Sequence, residues 1–254
     1  MPRTPARTVL VPALCAVALL SAAACSAAGP GGTAGAARPP AARAPQTPAA
    51  APTLTEAQAR AALIGESDLG EAWAPTGGFA TWRDSMLKAG TGSGACRRLL
   101  DALYTEDFFG PDATTRASVG LDDAVDGAQL RFQVVAHRPA AVDRTLAWLG
   151  GLPGSCGQFT ATARGGPMAV RVEAAQLPEA GDARQGLRIV LSAVSEYQDA
   201  PVLTLDVAAV RVGDDAITVT NGSLGAVPSD ATWTAVETGA RRLEEIRKRG
   251  RAAV

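Results

Sequence analysis

Apolar and polar residues alternate along several stretches of the chain, most clearly in its second half. This period of two is typical of half-buried β-strands. The alternation predicts strands over residues 129–136, 168–174, 187–197, 202–212 and 216–220. Only Gly213-Asp214-Asp215 separates the last two strands, and so short a connection predicts an antiparallel hairpin.

Four other stretches repeat their apolar residues at helical spacing. Thr55 and Gln58 form a capping-box pattern, which predicts a helix that runs to about residue 64. Three further helices are predicted over 96–104, from Pro139 to a stop at Gly150-Gly151, and from Pro228-Ser229 to Arg249. The buried stripe of the last helix is expected to consist of Trp233, Val236, Ala240 and Leu243.

The order of these elements indicates the fold class. Helices clustered before and after consecutive strands favour an α+β domain with an antiparallel β-sheet and packed helices. No linker-like stretch interrupts residues 54–254, so we expect them to form a single domain.

The first 24 residues have the layout of an export signal. Arg3 and Arg7 precede an apolar stretch from Val9 to Leu20, and small residues follow at 21–24. A membrane-spanning helix needs about 20 apolar residues, and Pro12 interrupts this shorter run. Residues 1–24 are therefore predicted to be a cleaved signal peptide.

Cys25 follows the small residues directly, in a pattern that resembles the lipobox of bacterial lipoproteins. In that motif the cysteine thiol takes a diacylglyceryl group, and two acyl chains are enough for stable anchoring. A lipobox usually has leucine three residues before the cysteine, whereas Ala22 stands there in this chain. We expect lipidation at Cys25 and a location on the outer face of the cell membrane; the alternative is ordinary cleavage after Ala24 and secretion.

Residues 25–53 are rich in alanine, glycine and proline and contain no acidic or aromatic residue. Such a segment cannot bury enough apolar surface to fold. We expect a disordered linker between the anchor and the domain.

The charge balance bears on the partners. The chain has 24 Lys+Arg against 25 Asp+Glu, a formal net charge of -1. Nucleic-acid binding proteins need a clear excess of positive charge. Nucleic acid is therefore not an expected partner, and the expected membrane contact is through the lipid anchor.

Cys96 and Cys156 are the only cysteines in the predicted domain. Export would bring them into an oxidising compartment, where a structural disulfide between them is the expected state. Two buried thiols or a redox-active pair are the alternatives, although the chain has no Cys-x-x-Cys motif.

Patterns that indicate catalysis or metal binding are sparse. His137 is the single histidine and is predicted to be an exposed residue at a strand end. The adjacent pairs Asp122-Asp123 and Asp214-Asp215 are expected to do no more than solvate turns. Gly90–Gly94 lacks the strand and the Lys-Ser/Thr of a phosphate-binding loop, so a flexible loop is expected. We expect no enzyme activity, no metal ion and no cofactor.

Four tryptophans are candidates for a binding surface. Trp148 and Trp233 fall near the buried stripes of predicted helices, so both are expected in the core. Trp82 follows Phe79 in a Gly/Thr-rich stretch and is the candidate ligand contact, because aromatic rings provide flat apolar area.

Several short motifs together resemble actinobacterial cell-envelope lipoproteins and the extracellular sensor domain of PknH-type mycobacterial serine/threonine kinases. They are Leu54-Thr55-Glu56-Ala57-Gln58 through Ala62-Leu63, Asp68-Leu69-Gly70 with Trp73, Cys96 with Leu99-Leu100 and Ala102-Leu103, Leu149 with Cys156 and Phe159, and the strand Val207–Val212 with Gly213-Asp214. The resemblance implies an antiparallel sheet with helices that leave a cleft for an unidentified envelope ligand. The kinase domains carry two disulfides, and only the Cys96–Cys156 pair has a counterpart here. The resemblance supplies no catalytic residues.

The expected function is therefore that of a cell-surface lipoprotein whose extracytoplasmic domain binds a small molecule or an envelope component, in a sensor or binding role without catalysis. A module that docks on another envelope protein is the alternative, and an envelope hydrolase is a more distant one.

Overall fold

Eight antiparallel strands form one sheet in the computed structural model, which describes residues 54–194 and 200–252. The strands are β1 (Trp73–Pro75), β2 (Thr114–Asp123), β3 (Gln129–Ala136), β4 (Gln158–Ala163), β5 (Gly166–Ala175), β6 (Ala183–Ala193), β7 (Val202–Val212) and β8 (Asp215–Leu224). Their order across the sheet is β1-β2-β3-β8-β7-β6-β5-β4. The predicted signal peptide, Cys25 and the linker lie outside the described residues.

Five α-helices accompany the sheet: α1 (Glu56–Ala61), α2 (Glu66–Leu69), α3 (Gly94–Thr105), α4 (Pro139–Cys156) and α5 (Ser229–Ala252), with a π-helical segment at Arg83–Leu87. The long helix α4 connects β3, in the middle of the sheet, to β4 at its edge. Four hairpins then lead back from β4 until β8 pairs with β3. In the β7–β8 hairpin, Val212 pairs with Asp215, and Gly213 takes a φ of 62° that favours glycine.

The helices divide between the two faces of the sheet, because alternate residues of each strand point to opposite faces. On one face, Leu187, Ile189 and Leu205 pack with apolar residues of α3, α4 and the π-helical segment. On the other face, Phe132 and Ile217 pack with apolar residues of α1 and α5. This architecture confirms the predicted α+β class, an antiparallel sheet with packed helices in a single domain.

The second face is only partly covered. Helix α5 packs on β7 and β8, whereas the same face of β4 and β5 is open to solvent. In β5, Val170 and Val172 are buried on the first face, while Arg171 and Glu173 between them are exposed. The uncovered part of the sheet begins beside the N-terminal end of α5, and this placement creates the groove described below.

Several boundaries differ from the sequence predictions. The predicted stop at Gly150-Gly151 is wrong, since α4 continues to Cys156. A glycine inside a helix costs about 1 kcal/mol, and the burial of Leu149 and Leu152 outweighs this cost. Strand β6 begins four residues earlier than predicted, at Ala183, and the predicted residues 195–197 lie outside the described part of the chain. The alternation did not identify β1, β2 or β4.

Candidate functional site

A groove lies where the uncovered part of the sheet meets the first turns of α5, and we call it the Trp233 groove. Its cavity measures about 330 Å³, within the range of roughly 300–1,000 Å³ that is common for ligand pockets. Its walls are residues 173–177 of β5 and the following loop, residues of β6 and β7, and the start of α5. Its lining includes the side chains of Glu173, Arg188, Asp206, Ser229 and Trp233.

Trp233 does not occupy the core position predicted for it. Its side chain is 45% exposed, whereas Val236, Ala240 and Leu243 of the same predicted stripe are buried. Trp233 lies at the start of α5, next to the open part of the sheet. At this position no strand packs over the side chain, so it stays exposed. The indole Nε1–H donates to the backbone oxygen of Gln176 at 3.1 Å. This bond helps to fix the ring's position beside the groove.

Arg188 and Asp206 form the polar floor of the groove. They are directly opposite each other on β6 and β7. Arg188 Nε donates to Oδ1 of Asp206 at 2.8 Å, and Nη2 donates to Oδ2 at 2.9 Å. Nη2 also donates to the hydroxyl of Ser229. The hydrogen bond to Asp206 holds the pKa of Arg188 above its ordinary value, although burial acts in the opposite direction.

The open face continues from the groove across β5 to β4. A second depression of about 690 Å³ begins at Glu173 and is lined by polar side chains that include Thr160, Arg171 and Ser192. Arg171 Nη1 lies 3.6 Å from Oε1 of Glu173. The two arginines and two carboxylates of this surface are therefore paired, and the surface offers hydrogen-bonding groups without an excess of either charge.

A different pocket of about 720 Å³ lies where β3 ends and β8 and α4 begin, and we call it the Arg116 pocket. His137, predicted to be exposed, is half-buried in its wall. The prediction that Asp214-Asp215 only solvates a turn is wrong for Asp215, whose carboxylate is buried and accepts a hydrogen bond from Arg247. Burial raises the pKa of Asp215, and the neighbouring Arg247 partly offsets this effect.

The predicted pairing of Cys96 with Cys156 is confirmed. The two residues form a disulfide with their Cα atoms 5.6 Å apart, which ties α3 to the end of α4.

The turn that contains Asp122-Asp123 also differs from its prediction. Asp123 is buried and its Oδ1 accepts a hydrogen bond from the backbone N–H of Val125 at 2.9 Å, so this residue does more than solvate the turn.

Trp82, the predicted ligand contact, is only 7% exposed and belongs to the core beneath α3 and α4. A Cβ added at Gly222 would lie 2.9 Å from Cη2 of its ring, so the indole packs closely on β8. One side of Trp82 contributes to a shallow depression that also includes Phe79. A ligand contact by Trp82 stays a prediction.

The residues of the Trp233 groove come from distant parts of the chain. Arg188 and Asp206 occupy polar positions of neighbouring predicted strands, but only the strand register shows that they are opposite each other.

Among residues 54–194 and 200–252, no three His, Cys, Asp or Glu side chains are grouped so that they could hold a metal ion. In the same part of the chain, no helix combines the length and the apolar character needed to cross a membrane.

Comparison with known proteins gives weak likenesses at the level of the fold. No protein-family model matches the chain, and no curated protein matches it either. The structure is similar to the extracellular domain of PknH from Mycobacterium tuberculosis, with a TM-score of 0.48, 13% sequence identity and coverage of 78% of this chain and 99% of that one. It is also similar to the Ran-binding protein Mog1p of Saccharomyces cerevisiae, with a TM-score of 0.26, 9% identity and coverage of 54% of this chain and 82% of that one.

Proposed function

We propose that residues 54–254 form a non-catalytic binding domain outside the cytoplasm, and that the Trp233 groove holds an uncharged polyhydroxylated ligand such as the saccharide part of an envelope component. The observation that carries this proposal is the exposed indole of Trp233, oriented beside a paired Arg–Asp floor. A sensor role, which the motif resemblance to PknH-type domains implies, is part of the same proposal.

The exposed ring of Trp233 supports a ligand with one apolar face. Leaving a large indole surface in water forgoes the free energy that burying it would supply. Sugar rings present C–H groups on their faces and hydroxyl groups around their edges. A saccharide could therefore stack on the indole while its edge hydroxyls reach the polar floor of the groove.

The hydrogen-bonding groups of the floor support an uncharged ligand. The carboxylate of Asp206 and the guanidinium of Arg188 neutralise each other. Within the described residues, Nη1 of Arg188 makes no hydrogen bond, while Nε and Nη2 are both engaged. Two N–H groups of Nη1 thus remain to donate to ligand hydroxyls, and Glu173 on the rim supplies acceptors.

The same pairing argues against catalysis in this groove. A general acid or base must be free to exchange a proton with a substrate. Asp206 accepts two hydrogen bonds from Arg188, so its carboxylate is committed to the ion pair. We propose binding without chemical conversion.

We also propose that the protein is anchored on the outer face of the cell membrane. Residues 1–24 would direct export, Cys25 would carry the lipid, and residues 25–53 would space the domain from the membrane. The Cys96–Cys156 disulfide supports a compartment outside the cytoplasm, because such bonds form and persist in oxidising environments.

Calorimetric titration of the full exported chain tests the ligand class, with neutral oligosaccharides of glucose, mannose, galactose and arabinose as probes. We expect saturable binding of at least one probe and its loss in Trp233→Ala. Phe79→Ala is the matched control, because Phe79 is also an exposed aromatic residue but lies outside the groove. Absence of binding by every probe, or unchanged binding by Trp233→Ala, would overturn the proposal.

A second candidate function is docking on another envelope protein, and a specific observation favours it. Four exposed apolar side chains lie near strand ends or turns at one end of the sheet, and we call them the apolar tip: Phe79, Val125, Val194 and Leu224. The depression between Phe79 and Leu224 is lined by three aspartates and, among its lining residues, by no basic side chain. The complementary occupant is a basic, apolar segment of a partner protein.

Photo-crosslinking in cells tests this second function. A photoreactive amino acid in place of Val125 should give one discrete adduct, and Asp126→Lys should reduce its yield by reversing charge at the tip. An adduct whose yield is the same in the Asp126→Lys background, or no adduct at all, would reject the docking function.

A further inference from the structure

The Arg116 pocket contains hydrogen-bond donors that have no acceptor within the part of the chain that the structure describes. There, Nε of Arg116 is fully buried and makes no hydrogen bond. Buried polar atoms are nearly always satisfied, so an orphaned donor of a charged group requires an explanation. The remainder of the guanidinium has no hydrogen bond or ion pair to any residue in the ranges 54–194 and 200–252.

The position of Arg116 is the result of a β-bulge. The pairing of β2 with β3 shifts register between Thr115 and Ala117, so Arg116 is the extra residue of its strand. A bulge re-aims the side chain at its position, and bulges are common beside functional sites. Here the re-aimed side chain becomes part of the pocket wall.

The beginning of α4 adds a second positive group to the same pocket. Arg138 is the N-cap residue and Pro139 the first helical residue, and both line the pocket. The N-cap makes no side-chain hydrogen bond, and no acidic residue occupies the first turn. The positive end of this 18-residue helix is therefore uncompensated locally. Arg138 itself has no ion pair within the described residues.

The acidic side chains of the pocket do not accept hydrogen bonds from Arg116 or Arg138. The carboxylates of Asp214 and Asp215 are both bound by Arg247, whose Nη2 lies 3.0 Å from Oδ2 of Asp214 and whose Nη1 is bound to Asp215. Asp112 is exposed in the pocket wall. The acceptors of the pocket are thus engaged or exposed to solvent, while the donors of Arg116 and Arg138 remain available.

From these observations we infer that the Arg116 pocket is a binding site for a phosphate group, held by the side chains of Arg116, Arg138 and His137 beside the positive end of α4. A phosphate supplies several acceptor oxygens at one point, and guanidinium groups bind such oxygens with charge-assisted, often bidentate hydrogen bonds. The phosphate is either that of a soluble phosphate ester or that of a lipid headgroup. This site is separate from the Trp233 groove, and the inference does not depend on the proposed function.

Titration of the full exported chain with inorganic phosphate at constant ionic strength is the first test. We expect saturable binding that also raises the unfolding temperature, and about tenfold or greater weakening in Arg116→Gln. Arg138→Gln is a second variant, on an exposed side chain, and it should weaken binding as well. Arg144→Gln is the matched control, because Arg144 is an exposed arginine of α4 that does not line the pocket.

Vesicles distinguish the two sources of phosphate. The Cys25→Ser variant, which has no cysteine at the predicted lipidation position, is mixed with phosphatidylcholine vesicles with or without phosphatidic acid. Flotation only with phosphatidic acid, competed by inorganic phosphate and lost with Arg116→Gln, assigns a lipid headgroup. Binding of inorganic phosphate without flotation assigns a soluble ester. No saturable phosphate binding, or binding that both Arg116→Gln and Arg138→Gln retain, would overturn the site.

Discussion

Arg188 on β6 and Asp206 on β7 lie side by side, joined by two hydrogen bonds of 2.8 and 2.9 Å. The aspartate is buried and the arginine is 40% exposed. A fork of this kind fixes the floor of the Trp233 groove, because both side chains lose their freedom to rotate.

Removal of Arg188 should therefore destabilise the domain more than a surface substitution does. Arg188→Ala leaves the carboxylate of Asp206 buried without its partner, and we expect a loss of about 2–3 kcal/mol in the free energy of unfolding. Urea denaturation measures this loss. Arg171→Ala on the exposed face of β5 is the control, with an expected loss of about 0.5 kcal/mol or less. Equal losses in the two variants would show that the Arg188–Asp206 pair contributes no more to stability than an exposed ion pair does.

Alanine substitution of Trp82 and of Trp233 should reduce the free energy of unfolding by different amounts, because Trp82 is buried and Trp233 is exposed. Trp82→Ala removes a buried ring from the core and should cost about 3–5 kcal/mol. Trp233→Ala removes a ring already 45% exposed, and should cost about 1–2 kcal/mol. Chemical denaturation of both variants measures the difference, and a larger cost for Trp233 than for Trp82 would contradict the placement of both rings.

The sequence predicted the strands whose alternation of apolar and polar residues is strong. It did not predict features that depend on how the strands and helices pack together. Strand β3 was predicted with its observed bounds because Leu130, Phe132 and Val134 alternate with polar residues. Strand β2 was missed because small residues such as Ala117, Ser118 and Gly120 weaken its alternation. The stripe of α5 indicated which side of the helix faces the sheet, but the uncovered strands that leave Trp233 exposed depend on the order of the strands. The Trp233 groove could not be predicted from the sequence for the same reason.

The disulfide should make a large contribution to stability, because it joins cysteines 60 residues apart in sequence. On the chain-entropy model, closing a loop of this length is worth about 4 kcal/mol. Cys96→Ser should lower the unfolding temperature clearly under non-reducing conditions. The wild-type chain in reductant is the control and should unfold near the temperature of the variant. If the oxidised wild type and Cys96→Ser unfold together, the bond does not form in solution.

Cys25 should decide where the protein resides in the cell. Lipidation places two acyl chains in the membrane, and their burial is enough for stable anchoring. Cys25→Ser should move the protein from the membrane fraction to the medium, as measured by fractionation and immunoblotting. Cys15→Ser, inside the predicted signal peptide, is the control and should leave the distribution unchanged. Unaltered membrane association of Cys25→Ser would reject the lipid anchor.

The buried carboxyl of Asp215 should give the stability of the domain a distinctive dependence on pH. Burial raises the pKa of Asp215 in the folded state, and Arg247 only partly offsets the effect. A carboxyl with a raised pKa binds more protons in the folded chain than in the unfolded chain. Its contribution to stability is therefore complete below the unfolded pKa of about 4 and is lost as the pH rises through the folded pKa.

Asp215→Asn removes this titration, and the comparison isolates it from the other carboxylates of the protein. The free energy of unfolding of the wild type, minus that of Asp215→Asn, should decrease as the pH is raised from about 4. Urea denaturation at a series of pH values measures the difference. In Asp214→Asn the carboxyl of Asp215 stays buried, so the decrease relative to an Asp214→Asn/Asp215→Asn double variant should persist. A difference that grows with pH would mean that the attraction of Arg247 outweighs the cost of burial.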